Sequence, residues 1–204
     1  MTNIKRIFIT VLFTAALAGC AGLKSGKEIR SYNEPRYDAD PKIELDVKKV
    51  EIISEFTPSF TRPNVEHLFP ISIEKTARLW GRDRLEAADY GSDKTAEYII
   101  KDASVTEEIE TSEDIFTPDR LKYRATLDVI VRVYDTQSMA KAETEVVAWR
   151  ELYIPANTDI AEKEKYWNGM VLKLFDEFNR KMDKNIRQYL NMYVKNNNYI
   201  QTYD

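Results

Sequence analysis

The chain has 204 residues, 31% of them charged, a formal net charge of -4, one cysteine and one histidine. The lack of a basic excess argues against nucleic-acid binding, and one cysteine with one histidine is too few for a zinc site built from several such ligands. A single cysteine also excludes an intrachain disulfide, so the stability of the fold must come from its core.

The first twenty residues have the pattern of an export signal. A short basic start precedes an apolar stretch at 7–17, which is too short to cross a bilayer that needs about 20 residues. The sequence LAGC that ends at Cys20 resembles the lipobox of bacterial lipoproteins. The resemblance implies a signal peptide at 1–19 and acylation of Cys20 with fatty acyl chains such as palmitate, which anchor the protein to a membrane. An ordinary signal peptide with an unmodified cysteine is the alternative.

The segment after Cys20 suggests where the protein resides. Ala21 replaces the aspartate that retains enterobacterial lipoproteins in the inner membrane, so we expect the periplasmic face of the outer membrane. Residues 20–42 are polar, contain two prolines and lack periodicity. They predict a lipidated N-terminus followed by a flexible tether.

Residues 43–193 have the size of one domain and begin with a predicted strand and helix. Apolar and charged residues alternate from Ile43, and the alternation changes phase near Lys48-Lys49, which predicts a strand with a bulge. Ser72 is the expected N-cap of the first helix, because an apolar helical face follows it at Ile73, Ala77 and Trp80.

Three more strands and a long helix complete the predicted domain. The strands are expected at 95–109, 121–134 and 140–154, and the regular alternation in 121–134 is typical of an antiparallel sheet with one buried face. Asp159 and Glu162 form a capping pattern for a helix that runs to about Tyr193, with a frayed tail at 194–204. The predicted fold is therefore α+β in the order β-α-β-β-β-α, a four-stranded, mostly antiparallel sheet with two helices on one face.

The sequence shows no reaction signature. It has no G-x-S-x-G motif, no P-loop and no dinucleotide-binding glycine pattern, and an acylated Cys20 could not act as a nucleophile. We therefore predict a protein that is not an enzyme and has no cofactor and no metal. A hydrolase that uses His67 with nearby carboxylates is the less favoured alternative.

The proline-rich stretch RPNVEHLFP at 62–70 is the most distinctive part of the domain. One interpretation is a partner-recognition loop that presents Pro63, Asn64, Glu66, His67 and Phe69. The other is a structural crossover, in which Leu68 and Phe69 fill the end of the core and His67 caps a backbone carbonyl.

Aromatic residues of the last strand suggest a second binding surface. Trp149 and Tyr153 lie on its less apolar phase, so they predict an exposed aromatic patch for a lipid or a protein partner. The alternative is a second packing surface, such as one covered by the tether. Trp80 and Trp167 lie on apolar helical faces and are expected in the core.

Together with the lipobox, the segments RPNVEHLFP, ARLWGRDRL and IIKDASVTEE resemble a family of small alphaproteobacterial lipoproteins without an assigned activity. The resemblance covers most of 43–193. In topology, a lipid-tethered β-α-β-β-β-α domain is similar to the lipoprotein partner in lipopolysaccharide transport and to auxiliary lipoproteins of envelope lipid transport. These resemblances imply a non-enzymatic, membrane-anchored accessory module that binds an envelope protein. A carrier with an apolar pocket between helices and sheet, for a lipid or another small ligand, is the alternative.

Overall fold

The computed structural model describes residues 31–113 and 118–195, which form an α+β domain. Its helices are α1 (Ile73–Arg84) and α2 (Ile160–Tyr189). Its strands are β1 (Ile43–Leu45), β2 (Lys49–Ser54), β3 (Leu85–Ala87), β4 (Lys94–Asp102), β5 (Val105–Glu110), β6 (Arg120–Asp135) and β7 (Lys141–Pro155). Short 3-10 turns occupy Glu66–Leu68 and Asn191–Tyr193. Cys20 and the predicted signal peptide lie outside the described residues.

The predicted first strand is two strands that belong to two sheets. β1 pairs in parallel with β3 in a two-stranded sheet, whereas β2 pairs in parallel with β4 in the main sheet. The backbone N–H of Val47 donates to the carbonyl of Leu45 at 2.8 Å, which forms a tight turn between them. The prediction of one bulged strand was therefore wrong, because the change of phase marks the point where the chain leaves one sheet for the other.

The main sheet has five strands in four positions, and its pairing is mixed. β4 and β5 lie in line along one edge of β6, with a register shift between Ile100 and Asp102, and β7 pairs with the whole length of the other edge. These contacts are antiparallel, but β2 and β4 are parallel because α1 and β3 connect them as a crossover. The predicted four-stranded sheet and element order are thus correct only in part.

The core lies between the sheet and both helices. Trp80 of α1 stacks on Tyr98 of β4 with ring centroids 5.6 Å apart and meets Phe178 of α2 edge-on at 5.2 Å. Its Nε1 donates to Oδ1 of Asn179 at 2.8 Å. Both helices therefore pack on the same sheet face, where the apolar odd-numbered residues of β6 are buried.

The helix starts agree with the predictions, and the end of α2 does not. Ser72 accepts a hydrogen bond from the N–H of Lys75 at 3.2 Å, and Asp159 accepts one from Glu162 at 3.0 Å. α2 ends at Tyr189, after which Val194 is buried and bridges Leu45. Residues 194–195 are thus part of the domain and not a frayed tail, while 196–204 lie outside the described residues.

The predicted flexible tether ends earlier than residue 42. Arg36 forms a two-point ion pair with Asp83 of α1, and the side chain of Tyr37 is buried. Further along, Nδ2 of Asn179 donates to Asp40 at 3.1 Å. Residues 36–40 are therefore fixed to the helical layer. Their polar side chains suggested a flexible segment, but these side chains form hydrogen bonds with residues of α1 and α2.

No helix within 31–113 and 118–195 is both long enough and apolar enough to cross a bilayer. The same residues contain no cluster of three or more histidine, cysteine, aspartate or glutamate side chains arranged to hold a metal ion.

Candidate functional site

The centre of the proline-rich stretch is joined to β5. The backbone N–H of Val65 donates to the carbonyl of Val105 at 2.8 Å, and the N–H of Glu107 donates to the carbonyl of Pro63 at the same distance. Asn64 forms an isolated bridge with Thr106. Pro63 and Asn64 are consequently held by backbone pairing at the sheet edge.

Phe69 and Leu68 have different environments. Phe69 is buried and stacks on Trp167 with ring centroids 4.9 Å apart, with Tyr123 edge-on at 6.2 Å. Leu68 is 48% exposed. The structural interpretation of this loop therefore applies to Phe69, and it was wrong for Leu68.

A cavity of about 180 Å³ next to this loop brings His67 near a carboxylate and a hydroxyl, since Glu66 and Ser72 line it as well. His67 packs against the ring of Phe60 with centroids 5.5 Å apart, and Ser72 uses its hydroxyl oxygen to cap α1. Oε1 of Glu66 accepts from the N–H of Ser59, while its Oε2 is buried without a partner. Among the described residues no hydrogen bond joins His67 to Ser72, to Glu66 or to a backbone carbonyl.

A row of large apolar side chains is exposed on the outer face of β7, opposite the helices. Val147 and Trp149 are each 50% exposed, and Tyr153 is 44% exposed. They point outward because the intervening residues of β7, such as Val146 and Ala148, are buried beneath α2. The structure thus places Trp149 and Tyr153 on one open surface.

Cations from β6 lie on these aromatic rings. The guanidinium of Arg124 is 4.7 Å from the ring centroid of Trp149, and that of Arg120 is 5.5 Å from that of Tyr153. The ammonium of Lys122 is 6.0 Å from the Tyr153 ring. We call Val147, Trp149, Tyr153, Arg120, Lys122 and Arg124 the outer patch. The sequence could not reveal its cations, because the register of β6 against β7 decides which residues are neighbours.

Three carboxylates influence the charge of this surface, and the first is Glu110, which lies 3.2 Å from Arg120. Glu151 accepts from Arg124 at 3.3 Å and lies 3.5 Å from Lys122, whose pKa it raises. Asp128 is the cross-strand neighbour of Val147, and burial together with the nearby Glu145 raises its pKa to about 6. The outer patch is therefore cationic at one end and has a weakly acidic carboxyl at the other.

A second site, which was not predicted from the sequence, is a groove of about 270 Å³ between α2 and β7. Lys165, Gly169 and Lys173 of α2 and Arg150 of β7 line it. In the sequence, the spacing Lys-x3-Gly-x3-Lys places all three α2 residues on one helical face. This spacing could have indicated the site.

The comparisons with known proteins give no family for this chain. No protein-family model and no curated protein match its sequence. Among solved structures, it is similar to the minor lipoprotein from Acinetobacter baumannii (12% identity, 69% of this chain and 94% of that chain, TM-score 0.37). It is also similar to the rare lipoprotein B from Shewanella oneidensis (15% identity, 67% and 94%, TM-score 0.31) and to the PelC dodecamer from Paraburkholderia phytofirmans (11% identity, 71% and 92%, TM-score 0.23). All three TM-scores are below 0.5, so these similarities carry no functional argument.

Proposed function

We propose that this chain is a lipid-anchored, non-enzymatic binding module of the bacterial cell envelope, and that its outer patch recognises a protein partner. The observation that supports binding is the exposed row of Val147, Trp149 and Tyr153 on an open sheet face. Large aromatic side chains are costly to leave in water, and they supply much of the binding energy at protein interfaces.

The charges of the outer patch define the chemistry of the partner. Arg120, Lys122 and Arg124 stand beside the aromatic rings. Lys122 and Arg124 share the neighbouring Glu151, and Arg120 pairs with Glu110. A surface that combines apolar side chains with carboxylates complements this arrangement, because it covers the rings and pairs with the cations. We therefore propose an envelope protein with an acidic, partly apolar surface.

The proposed anchor is Cys20, as the resemblance to a lipobox implies. Within the described range, which begins at residue 31, the first buried side chain is that of Tyr37. A fully extended chain between them spans at most about 60 Å. This length gives the domain a limited working range from the periplasmic face of the outer membrane, where we propose that it resides.

A cysteine substitution tests the anchor. We expect Cys20→Ser to abolish acylation and to leave the signal peptide poorly cleaved, because Cys20 is both the attachment point of the acyl chains and the residue at the cleavage site. Mass spectrometry of the N-terminus measures the acyl chains directly, and Ser25→Ala is a control outside the lipobox. An acylated, membrane-bound Cys20→Ser protein would show that the anchor lies elsewhere.

Site-specific photo-crosslinking in cells tests the outer patch. A photoreactive residue at Val147, in the full-length lipoprotein, should give one discrete crosslinked envelope protein, and Trp149→Ala should remove this product. The control position is Tyr90, an exposed aromatic residue in the turn before β4. Identical products from both positions, or a product that Trp149→Ala leaves unchanged, would contradict partner binding by the outer patch.

The carrier alternative has less support in the structure. It needs an apolar pocket between the helices and the sheet, but Trp80 contacts both Tyr98 and Phe178 in that layer. All three are fully buried. We therefore favour the binding module over an internal carrier.

A further inference from the structure

The groove between α2 and β7 combines cationic and apolar groups from two elements. β7 contributes Arg150, Glu151 and Leu152, and α2 contributes Lys165, Tyr166, Gly169, Met170 and Lys173. Its volume of about 270 Å³ is at the lower end for small-ligand sites. This is enough space for a charged group and a short adjoining apolar segment.

Glycine at position 169 is unusual because the packing of the described chain does not require a residue without a side chain there. It lies inside the 30-residue helix α2, where glycine is less favourable than alanine. A Cβ atom built at Gly169 meets nothing within 4 Å, whereas one at Gly81 would lie 3.2 Å from Ile52 and from Tyr98. Glycine at Gly169 therefore leaves the helix surface open toward the groove, as expected where a ligand approaches the backbone closely.

Two lysines flank this opening. Lys165 and Lys173 are four residues before and after Gly169, so each lies about 6 Å from it along the helix axis on the same face. Both are exposed, and neither forms an ion pair with another of the described residues. An anion placed over Gly169 would be within reach of both ammonium groups.

Arg150 contributes a third cation from the opposite wall. Its Nη2 lies 3.1 Å from Oε2 of Glu177, while its Nε is buried and has no hydrogen-bond partner. A buried donor without an acceptor is unfavourable. The Arg150 side chain as a whole is 42% exposed and lines the groove, so it adds positive charge to this wall.

The nearby carboxylates neutralise the groove only in part. Glu177 is shared between Arg150 and Lys181, with Nζ of Lys181 at 2.7 Å. Glu151 is engaged by Lys122 and Arg124 of the outer patch. Three cations consequently face one small volume on a protein whose net charge is negative.

From these observations we infer that the groove binds a phosphate-bearing amphiphile. The phosphate lies over Gly169 between Lys165, Lys173 and Arg150, since three donors from two directions suit an anion with several oxygens. The adjoining apolar segment lies on Leu152 and Met170. This inference concerns a different surface from the outer patch and does not depend on the proposed partner.

Native mass spectrometry of the full-length lipoprotein in a non-ionic detergent tests the inference. The probes are dihexanoyl phosphatidic acid, inorganic phosphate and dihexanoylglycerol, measured in the same micelles so that partition into detergent cancels between variants. We expect the phosphatidic acid to bind at one site and to bind more tightly than the other two. Equal binding of inorganic phosphate would overturn the apolar contact, and equal binding of dihexanoylglycerol would overturn recognition of the phosphate.

Matched variants assign the binding to the groove. Lys165→Gln with Lys173→Gln should weaken binding of phosphatidic acid by about tenfold or more, which corresponds to about 1.4 kcal/mol. The control, Lys163→Gln with Lys184→Gln, changes the charge of α2 equally outside the groove and should leave binding within about twofold. Equal weakening by both pairs would show that only the general charge of the surface attracts the probe.

A groove-filling variant separates binding from folding. Gly169→Leu introduces a good helix former into open space, so we expect an unchanged or higher melting temperature together with a loss of phosphatidic acid binding of about tenfold or more. Binding at the wild-type level in a folded Gly169→Leu protein would overturn the inference.

Discussion

Arg36 holds Asp83 by two hydrogen bonds, from Nε to Oδ2 at 2.8 Å and from Nη2 to Oδ1 at 2.6 Å. The backbone N–H of Tyr37 donates to the same Oδ2 at 3.0 Å. The carboxylate, in the last turn of α1, thus receives three donors from the segment that precedes β1. This contact fixes the position at which the N-terminal chain joins the domain.

Asp83→Asn should destabilise the protein by about 2 kcal/mol at pH 7, because the side chain of Asp83 is only 5% exposed and its replacement removes the two-point ion pair with Arg36. The Arg36 hydrogen bond lowers the pKa of Asp83 below its usual value. A carboxylate whose pKa is lowered in the folded state stabilises the fold at pH values above its normal pKa. This stabilisation is lost as the pH falls through the lowered pKa. Urea unfolding at pH 7 and pH 3 should therefore show a smaller difference from wild type at pH 3.

The matched control for this prediction is Asp38→Asn. Asp38 lies 3.9 Å from the same guanidinium, but its side chain is 66% exposed. Exposed ion pairs contribute about 0–1 kcal/mol, so we expect a change below about 0.5 kcal/mol. Equal losses from both variants would show that Asp83 contributes no more than a surface charge.

Asp128→Asn should stabilise the protein at neutral pH. Burial, followed by the charge of Glu145, raises the pKa of Asp128 to about 6, and its Oδ1 is buried without a partner. A raised carboxyl pKa gives a penalty that is absent below about pH 4 and develops as the pH rises to about 6. The gain, on the order of 1 kcal/mol after allowance for solvent screening, should be present at pH 7.5 and absent at pH 3.5 in urea unfolding.

The control for the Asp128 prediction is another carboxylate of the same sheet face. Lys141 and Arg132 lower the pKa of Glu143. Glu143→Gln should therefore reduce stability, and the loss should be larger at pH 7.5 than at pH 3.5. A gain from Asp128→Asn that stays constant over this range would contradict the raised pKa.

Two tryptophans provide a matched test of the fold. Trp80→Ala should lower the free energy of unfolding by about 3–5 kcal/mol, because its ring contacts Tyr98 and Phe178 in the core. The same change at the half-exposed Trp149 should cost about 1 kcal/mol or less. Denaturation followed by circular dichroism measures both, and comparable losses would indicate that Trp149 is packed against another part of the chain.

Two helical glycines should respond differently to alanine. Gly81→Ala places a Cβ atom 3.2 Å from side-chain atoms of Ile52 and Tyr98, so we expect crowding to offset the gain in helix propensity of about 1 kcal/mol and to leave no net stabilisation. Gly169→Ala meets no atom within 4 Å and should gain about 1 kcal/mol from helix propensity. Thermal melting compares them, and a stabilised Gly81→Ala protein would mean that the contact between α1 and the sheet is looser than described.

The sequence alone was sufficient for the features that depend on neighbouring residues. The caps at Ser72 and Asp159, the apolar faces of the two helices and the buried phase of β6 follow from patterns that extend over a few residues. The alternation in β7 likewise placed Trp149 and Tyr153 on its outer side. Acylation of Cys20 stays a prediction, because it concerns residues outside the described range.

The tertiary structure alone decided which distant residues meet. The ion pair between Arg36 and Asp83 joins positions 47 residues apart, and it ends the predicted tether. The division of 43–54 between two sheets, and the groove between α2 and β7, likewise depend on partners that local periodicity does not specify. Capping and amphipathic patterns depend on local geometry, whereas strand partners, ion pairs and grooves arise from how whole elements pack.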